Sequence, residues 1–211
     1  FGTVTGFFIA YLNVPPFIAT LAMMEIVYGI GLIVTNATPL GGYVEQYTNV
    51  SNGKFLGINY LIWIAIIVAA ITWFIFNMTR HGKYMYAIGG NPQAAEVAGV
   101  PVKATMILIY MKAAAMYGLA GFMLGAKAGG ASVNLGYGYE MEAIAACTIG
   151  GVSVTGGRGK VSSAIIGVAV FELLKVALQY LGMNANAQYI AIGVVIFIAI
   201  SLDIRKYIAR K

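Results

Sequence analysis

Tyr86-Ala87-Ile88-Gly89-Gly90-Asn91-Pro92-Gln93-Ala94-Ala95-Glu96-Val97-Ala98-Gly99-Val100 is a short amphiphilic island in a chain that is otherwise mostly apolar. It reads as one compact helix with both ends marked. Asn91 is a good N-cap, because its side-chain oxygen can accept from an orphan amide of the first turn. Pro92 at the first helical position loses no needed N–H, and its fixed φ suits a helix. Gly99 falls where a left-handed residue should close the helix, and Pro101 blocks continuation. The body, 93–98, is only about two turns long, too short to persist alone in water. It must be held against something. On spacing alone, an ordinary linker between two membrane spans fits equally well.

Composition places the rest of the chain in a bilayer. Of its 211 residues 60% are hydrophobic and only 9% charged, and the mean hydropathy is +0.84. A soluble domain carries about 25% charged residues. The 27 glycines suit closely packed membrane helices. The net charge of +6 is spread over helix ends rather than gathered on one face, which argues against nucleic acid. The single cysteine, Cys147, excludes an internal disulfide and reads as a small packing residue.

Outward from the island, apolar runs mark the spans. Residues 1–12 are about half the length of a crossing, as if a longer span had been cut. Asn13-Val14-Pro15-Pro16 breaks the chain. Spans follow at 17–34, 58–77, 104–124, 161–181 and 189–202, separated by a polar, turn-rich segment at 35–57 and a central loop at 78–103. A short apolar helix at 140–149 runs into a glycine-rich turn, Gly150 to Gly159. At about 11 residues it cannot cross alone, so 140–157 is expected to be a broken or re-entrant segment, tolerable only if buried in protein or lining water. Basic residues set the orientation. Arg80, Lys83, Lys103, Arg158, Lys160, Arg205, Lys206, Arg210 and Lys211 fall on one side, against Lys54 and Lys127 on the other. The excess side is cytoplasmic. The central loop and C-terminus therefore face the cytoplasm, and a cysteine placed at Ser51 should be reached from outside. The expected fold is all-α, one polytopic transmembrane bundle over 1–211.

Three blocks carry a resemblance. Ala-Ile-Gly-Gly-Asn-Pro-x-Ala-Ala-x-x-x-Gly-Val at 87–100, Gly138 to Gly159, and Pro16-Phe17-Ile18-Ala19-Thr20-Leu21 together resemble permease subunits of ABC-type monosaccharide importers, the ribose/galactose/xylose group. The similarity runs over essentially the whole chain and implies further spans before Phe1. It implies that Gly89, Gly90, Asn91, Pro92, Ala94, Ala95 and Gly99 form the coupling contact with a separate ABC ATPase subunit. It also implies a second permease copy, an extracytoplasmic sugar-binding protein and a bacterial or archaeal inner membrane. ATP would be bound by the partner, leaving this chain without a cofactor. The blocks at 13–21 and 138–159 are where pathway contacts are sought: Asn13, Pro16, Phe17, Thr20, Glu140 and Ser153.

Other residues bear on the question of chemistry. Gly159-Lys160-Val161 fails the P-loop pattern at its hydroxyl position. No His, Cys, Asp or Glu group has metal spacing, and no catalytic set is found. Glu172 and Lys175, three apart on a helix, can neutralise one another. Glu140 and Glu142 suit the N-terminus of the short helix. Glu25 and Lys112 have no local partner. Tyr86, Tyr137 and Tyr139 could stack on a sugar, or simply anchor an interface. Two other functions stay open. A secondary transporter or channel for a small polar solute would use acids such as Glu25 and Glu172. A membrane enzyme would need a nucleophile, base or metal, and none is found.

Overall fold

The computed structural model describes residues 1–208, so residues 209–211 at the end of the basic tail, including Arg210 and Lys211, lie outside the described residues. In chain order the elements are α1 (Gly2–Leu12), α2 (Pro16–Thr35), β1 (Leu40–Gly41), α3 (Glu45–Asn52), β2 (Lys54–Phe55), β3 (Ile58–Asn59), α4 (Tyr60–Met78), α5 (Arg80–Gly90), α6 (Pro92–Val97), α7 (Val102–Ala128), β4 (Gly130–Ala131), α8 (Tyr139–Ile149), α9 (Val161–Tyr180) and α10 (Ala185–Ile208). The strands are two-residue bridges, β1 with β4 and β2 with β3. The protein is all-α, and α2, α4, α7 and α9 are long and apolar enough to cross a membrane. It is a multi-pass membrane protein. Two compact units divide the chain, 1–70 with 95–137 and 71–94 with 138–211.

In the first unit α1 lies on α7. Gly2 and Gly6, one turn apart, leave room for the α7 backbone; a Cβ on Gly6 would sit 2.8 Å from Ile107 Cα. Thr5, Ile9 and Ala10 fill the same buried face. Asn13 takes a left-handed conformation, φ 53°, and Pro16 opens α2 at its first position, as the two prolines require. The 35–57 segment differs from the expected run of turns, because it holds α3. That helix is polar and has little propensity of its own; α7 organises it. The Tyr47 hydroxyl donates to Phe122 O at 2.7 Å, and one turn on the Ser51 hydroxyl donates to Met123 O at 2.9 Å. Ser51 is fully buried, so a cysteine there is out of reach of label. Gln46, exposed on the same helix, is the position to use.

The second unit is built on α8 and α9 packed antiparallel. Phe171 of α9, 2% exposed, sits on Ala145 and Ala146 of α8 with Ile192 of α10. Lipid tails are as apolar as these side chains, so close fit rather than water exclusion holds the helices together. Gly167 is what permits that fit: a Cβ there would collide with Ala146 O and lie 2.7 Å from Gly150 N. The short helix ends on Gly151 at φ 86°, with Gly151 N donating to Thr148 O and Val152 N to Cys147 O, both at 2.9 Å. This is a Schellman closure.

Candidate functional site

The 78–103 segment is more ordered than a loop. Thr79 caps α5 by accepting from Gly82 N at 3.1 Å, so the chain leaves α4 and immediately starts a second helix. Gly89 and Gly90 are the last residues of α5, not part of the helix that follows. Asn91 is extended, φ −159°, and its Oδ1 accepts from Ala94 N at 3.0 Å, the N-cap bond its sequence position requires. Pro92 starts α6. The exit uses Gly99, φ 83°, with Gly99 N donating to Glu96 O and Val100 N to Ala95 O, both at 3.0 Å. A six-residue helix is thus closed at both ends.

Its faces differ sharply. Ala95 is 4% exposed, whereas Val97 is 91% exposed. Pro92, Gln93, Ala94, Glu96, Ala98 and Gly99 are also exposed. Of the residues singled out in this stretch, Asn91, Pro92, Ala94 and Gly99 lie on open surface. Ala95 instead is the seat of the helix.

Gly89 and Gly90 meet the glycine turn of 150–159 inside the second unit. A Cβ on Gly89 would collide with Gly157 N. One on Gly157 would lie 2.7 Å from Gly90 N and 2.8 Å from Gly90 Cα. Gly156, Gly157 and Gly159 all have positive φ, which glycine alone adopts freely. The turn closes on itself through Ser153 N donating to Arg158 O at 3.1 Å. Beside the joint the Tyr86 hydroxyl donates to Gly159 O at 2.7 Å, and its ring meets Phe76 edge-on at 5.8 Å. Tyr86 is therefore a strut of this joint. Two of the three sequence blocks meet here, backbone on backbone.

The residues sought as pathway contacts fall in both units. Asn13, Pro16, Phe17 and Thr20 belong to the first and are exposed. The Thr20 hydroxyl is occupied within its own helix, bonding Pro16 O and Phe17 O at 3.0 Å. Glu140, exposed, and Ser153, half-buried, belong to the second. Ser153 Oγ lies 2.9 Å from Thr155 Oγ1.

The membrane charges pair differently from their sequence spacing. Lys175 Nζ donates to Glu142 Oε2 of α8 at 2.8 Å, and lies 3.5 Å from Glu172 Oε1 of its own helix. The in-helix pair exists, but the shorter bond crosses helices. Glu142 is thus a bridging acid rather than only a complement to the α8 dipole. Nothing local in the sequence marks a partner 33 positions away. Glu25 and Lys112 form no ion pair with another described residue. Among the described residues no group of three or more His, Cys, Asp or Glu could hold a metal.

The chain is 42% identical to the galactose/methyl galactoside import permease protein MglC of Haemophilus influenzae, over 100% of this chain and 65% of that protein. The corresponding Escherichia coli protein is 41% identical over the same shares. The ribose import permease protein RbsC of Escherichia coli is 35% identical over 97% of this chain and 65% of its own length. The chain therefore spans about 65% of the length of these relatives. No solved structure matches. A family model described as the branched-chain amino acid transport system / permease component matches residues 1–200, and the chain belongs to that family.

Proposed function

We propose that this chain belongs to a permease that imports a monosaccharide across a bacterial inner membrane, powered by a separate ATPase subunit. The family description speaks of branched-chain amino acids. The sugar reading rests instead on the galactose and ribose permeases that align along essentially all of the chain. Alignment of essentially the whole of this chain to import permeases is the observation that carries it. The assembly adds an extracytoplasmic sugar-binding protein and a second permease copy, and the chain works as one transmembrane domain that supplies passage rather than catalysis. Asn91, Pro92, Ala94 and Gly99 present the open face of α6 to the ATPase. Ala95 seats that helix, and Gly89 and Gly90 pass its displacement to the 150–159 turn. Asn13, Pro16, Phe17, Thr20, Glu140 and Ser153 are proposed to line the route.

The test is reconstitution of the full-length protein with its ATPase and binding protein in liposomes. ATP-dependent uptake of labelled galactose or ribose is expected. Uptake that persists without the ATPase would instead indicate a secondary transporter or channel. In the same system Asn91→Ala removes a cap worth about 1 kcal/mol, so ATPase capture and uptake should each fall about fivefold. Unchanged capture would remove α6 from the coupling role.

Orientation has its own measurement. With Cys147 replaced by alanine, a cysteine at Gln46 should react with an impermeant maleimide added to intact cells, and one at Gln93 only after the membrane is opened. The reverse pattern would invert the proposed topology, including the cytoplasmic C-terminus.

A further inference from the structure

The contacts between α8 and α9 are unlike at their two ends. At the C-terminal end of α8 the helices touch through backbone: Gly150 against Ser163 O, and Gly167 against Ala146 O and Gly150. Near the N-terminal end they touch through the Glu142–Lys175 bond. Eight residues separate Glu142 from Gly150 (about 12 Å of helix). A bare-backbone contact without side chains to unlock permits rotation, whereas a charge-assisted bond fixes position until it breaks. Breaking such a bond away from water is costly because it strands a charge. Lys175 escapes its share of this cost. Glu172, on the same helix and one turn away, already stands 3.5 Å from its ammonium group, and the Glu172 side chain is 58% exposed while those of Lys175 and Glu142 are 23% and 21%. Lys175 Nζ also lies 5.9 Å above the ring of the buried Phe171, which keeps the amine near α9 whichever acid it holds.

We infer that Glu142–Lys175 is a releasable latch on the broken segment, with Gly150 and Gly167 as its pivot and Glu172 as the standby partner that takes Lys175 when α8 swings away. The two acids then have opposite roles around one lysine. Glu142 holds the closed arrangement, and Glu172 holds the open one. A plain structural triad would instead make both acids stabilise the same arrangement. The physical inference concerns α8 itself; only its link to transport rests on the permease reading above.

Hydrogen exchange of the full-length protein in lipid nanodiscs separates these cases. Glu142→Gln should speed exchange of the 139–149 amides about tenfold. Glu172→Gln should leave them unchanged or slower, because Lys175 loses its alternative. Glu142→Asp, which keeps the charge and shortens its reach, should fall between wild type and Glu142→Gln, and it replaces that variant if the latter does not insert. Equal acceleration by Glu142→Gln and Glu172→Gln overturns the latch, as does no acceleration by either Glu142 variant. In reconstituted uptake, Glu142→Gln should raise ATP hydrolysis per sugar moved, whereas Glu172→Gln should slow turnover severalfold without raising it. A shift of the same sign in both also counts against the latch. Absence of wild-type uptake counts against the permease reading instead, and the exchange result then decides the latch alone.

Discussion

Gly157→Val is expected to abolish ATP-driven uptake while leaving membrane insertion intact. Two costs coincide at that position. Its φ of 71° lies in the left-handed region, where a side chain costs about 1–2 kcal/mol, and more when branched at Cβ. The new Cβ would also face Gly90 N at 2.7 Å and Gly89 C at 2.9 Å. Those are backbone atoms, which cannot rotate away, and overpacking of this kind costs about 1–3 kcal/mol. The joint between α5 and the 150–159 turn should therefore part. Displacement of α6 would no longer reach α8, and uptake should fall more than about tenfold. Gly90→Ala supplies the comparison. Nothing lies within 4 Å of its Cβ position, so uptake should stay near wild type. If Gly90→Ala proves as damaging as Gly157→Val, the steric clash of a Cβ at 157 is not what matters there.

Gly167→Val should be the most damaging single change to stability. Its Cβ would collide with Ala146 O and meet Gly150 Cα at 2.8 Å. Since α8 cannot yield locally, it must leave α9 and take Ala145 and Ala146 off Phe171. What is lost is dispersion between well-fitted surfaces, individually tiny and collectively large. A cost of about 3 kcal/mol corresponds to a fall in melting temperature of about 10 °C for a chain of this size. Thermal unfolding of the purified protein reads this directly. Gly193→Val on α10, with nothing within 4 Å of its Cβ, should melt within a degree or two of wild type. Equal shifts for the two would mean that close α8–α9 approach is not what Gly167 provides.

Much of this fold was legible in the chain, for reasons that can be named. Long apolar runs bounded by proline or glycine located α2, α4, α7 and α9. Asn91-Pro92 and Gly99 marked α6 because capping is a local matter of one side chain and one φ. The apolar run before the glycine-rich turn located α8. What escaped was whatever depends on distant partners. The segment of α3 is polar and forms a helix because Tyr47 and Ser51 find carbonyls on α7. The chain from Arg80 to Gly90 carries two terminal glycines that discourage a helix reading, yet Thr79 caps it. Gly89 and Gly90 look equivalent in sequence, but only Gly89 has a Cβ position blocked by the opposing turn. Glu142 reads as an ordinary first-turn acid until α9 brings Lys175 to it.

On the permease reading, the shortness of α8 also bears on the electrical profile of the membrane. Eleven residues rise only about 16 Å, roughly half the thickness of the hydrocarbon layer. Solvent following the irregular chain at either end of α8 would leave an insulating septum about that thick. The transmembrane voltage, worth about 2.3 kcal/mol per elementary charge per 100 mV, would then drop over a compressed distance. Glu142 and Lys175, near one margin of this septum, would experience a steeper gradient than the same charges in an unbroken bilayer.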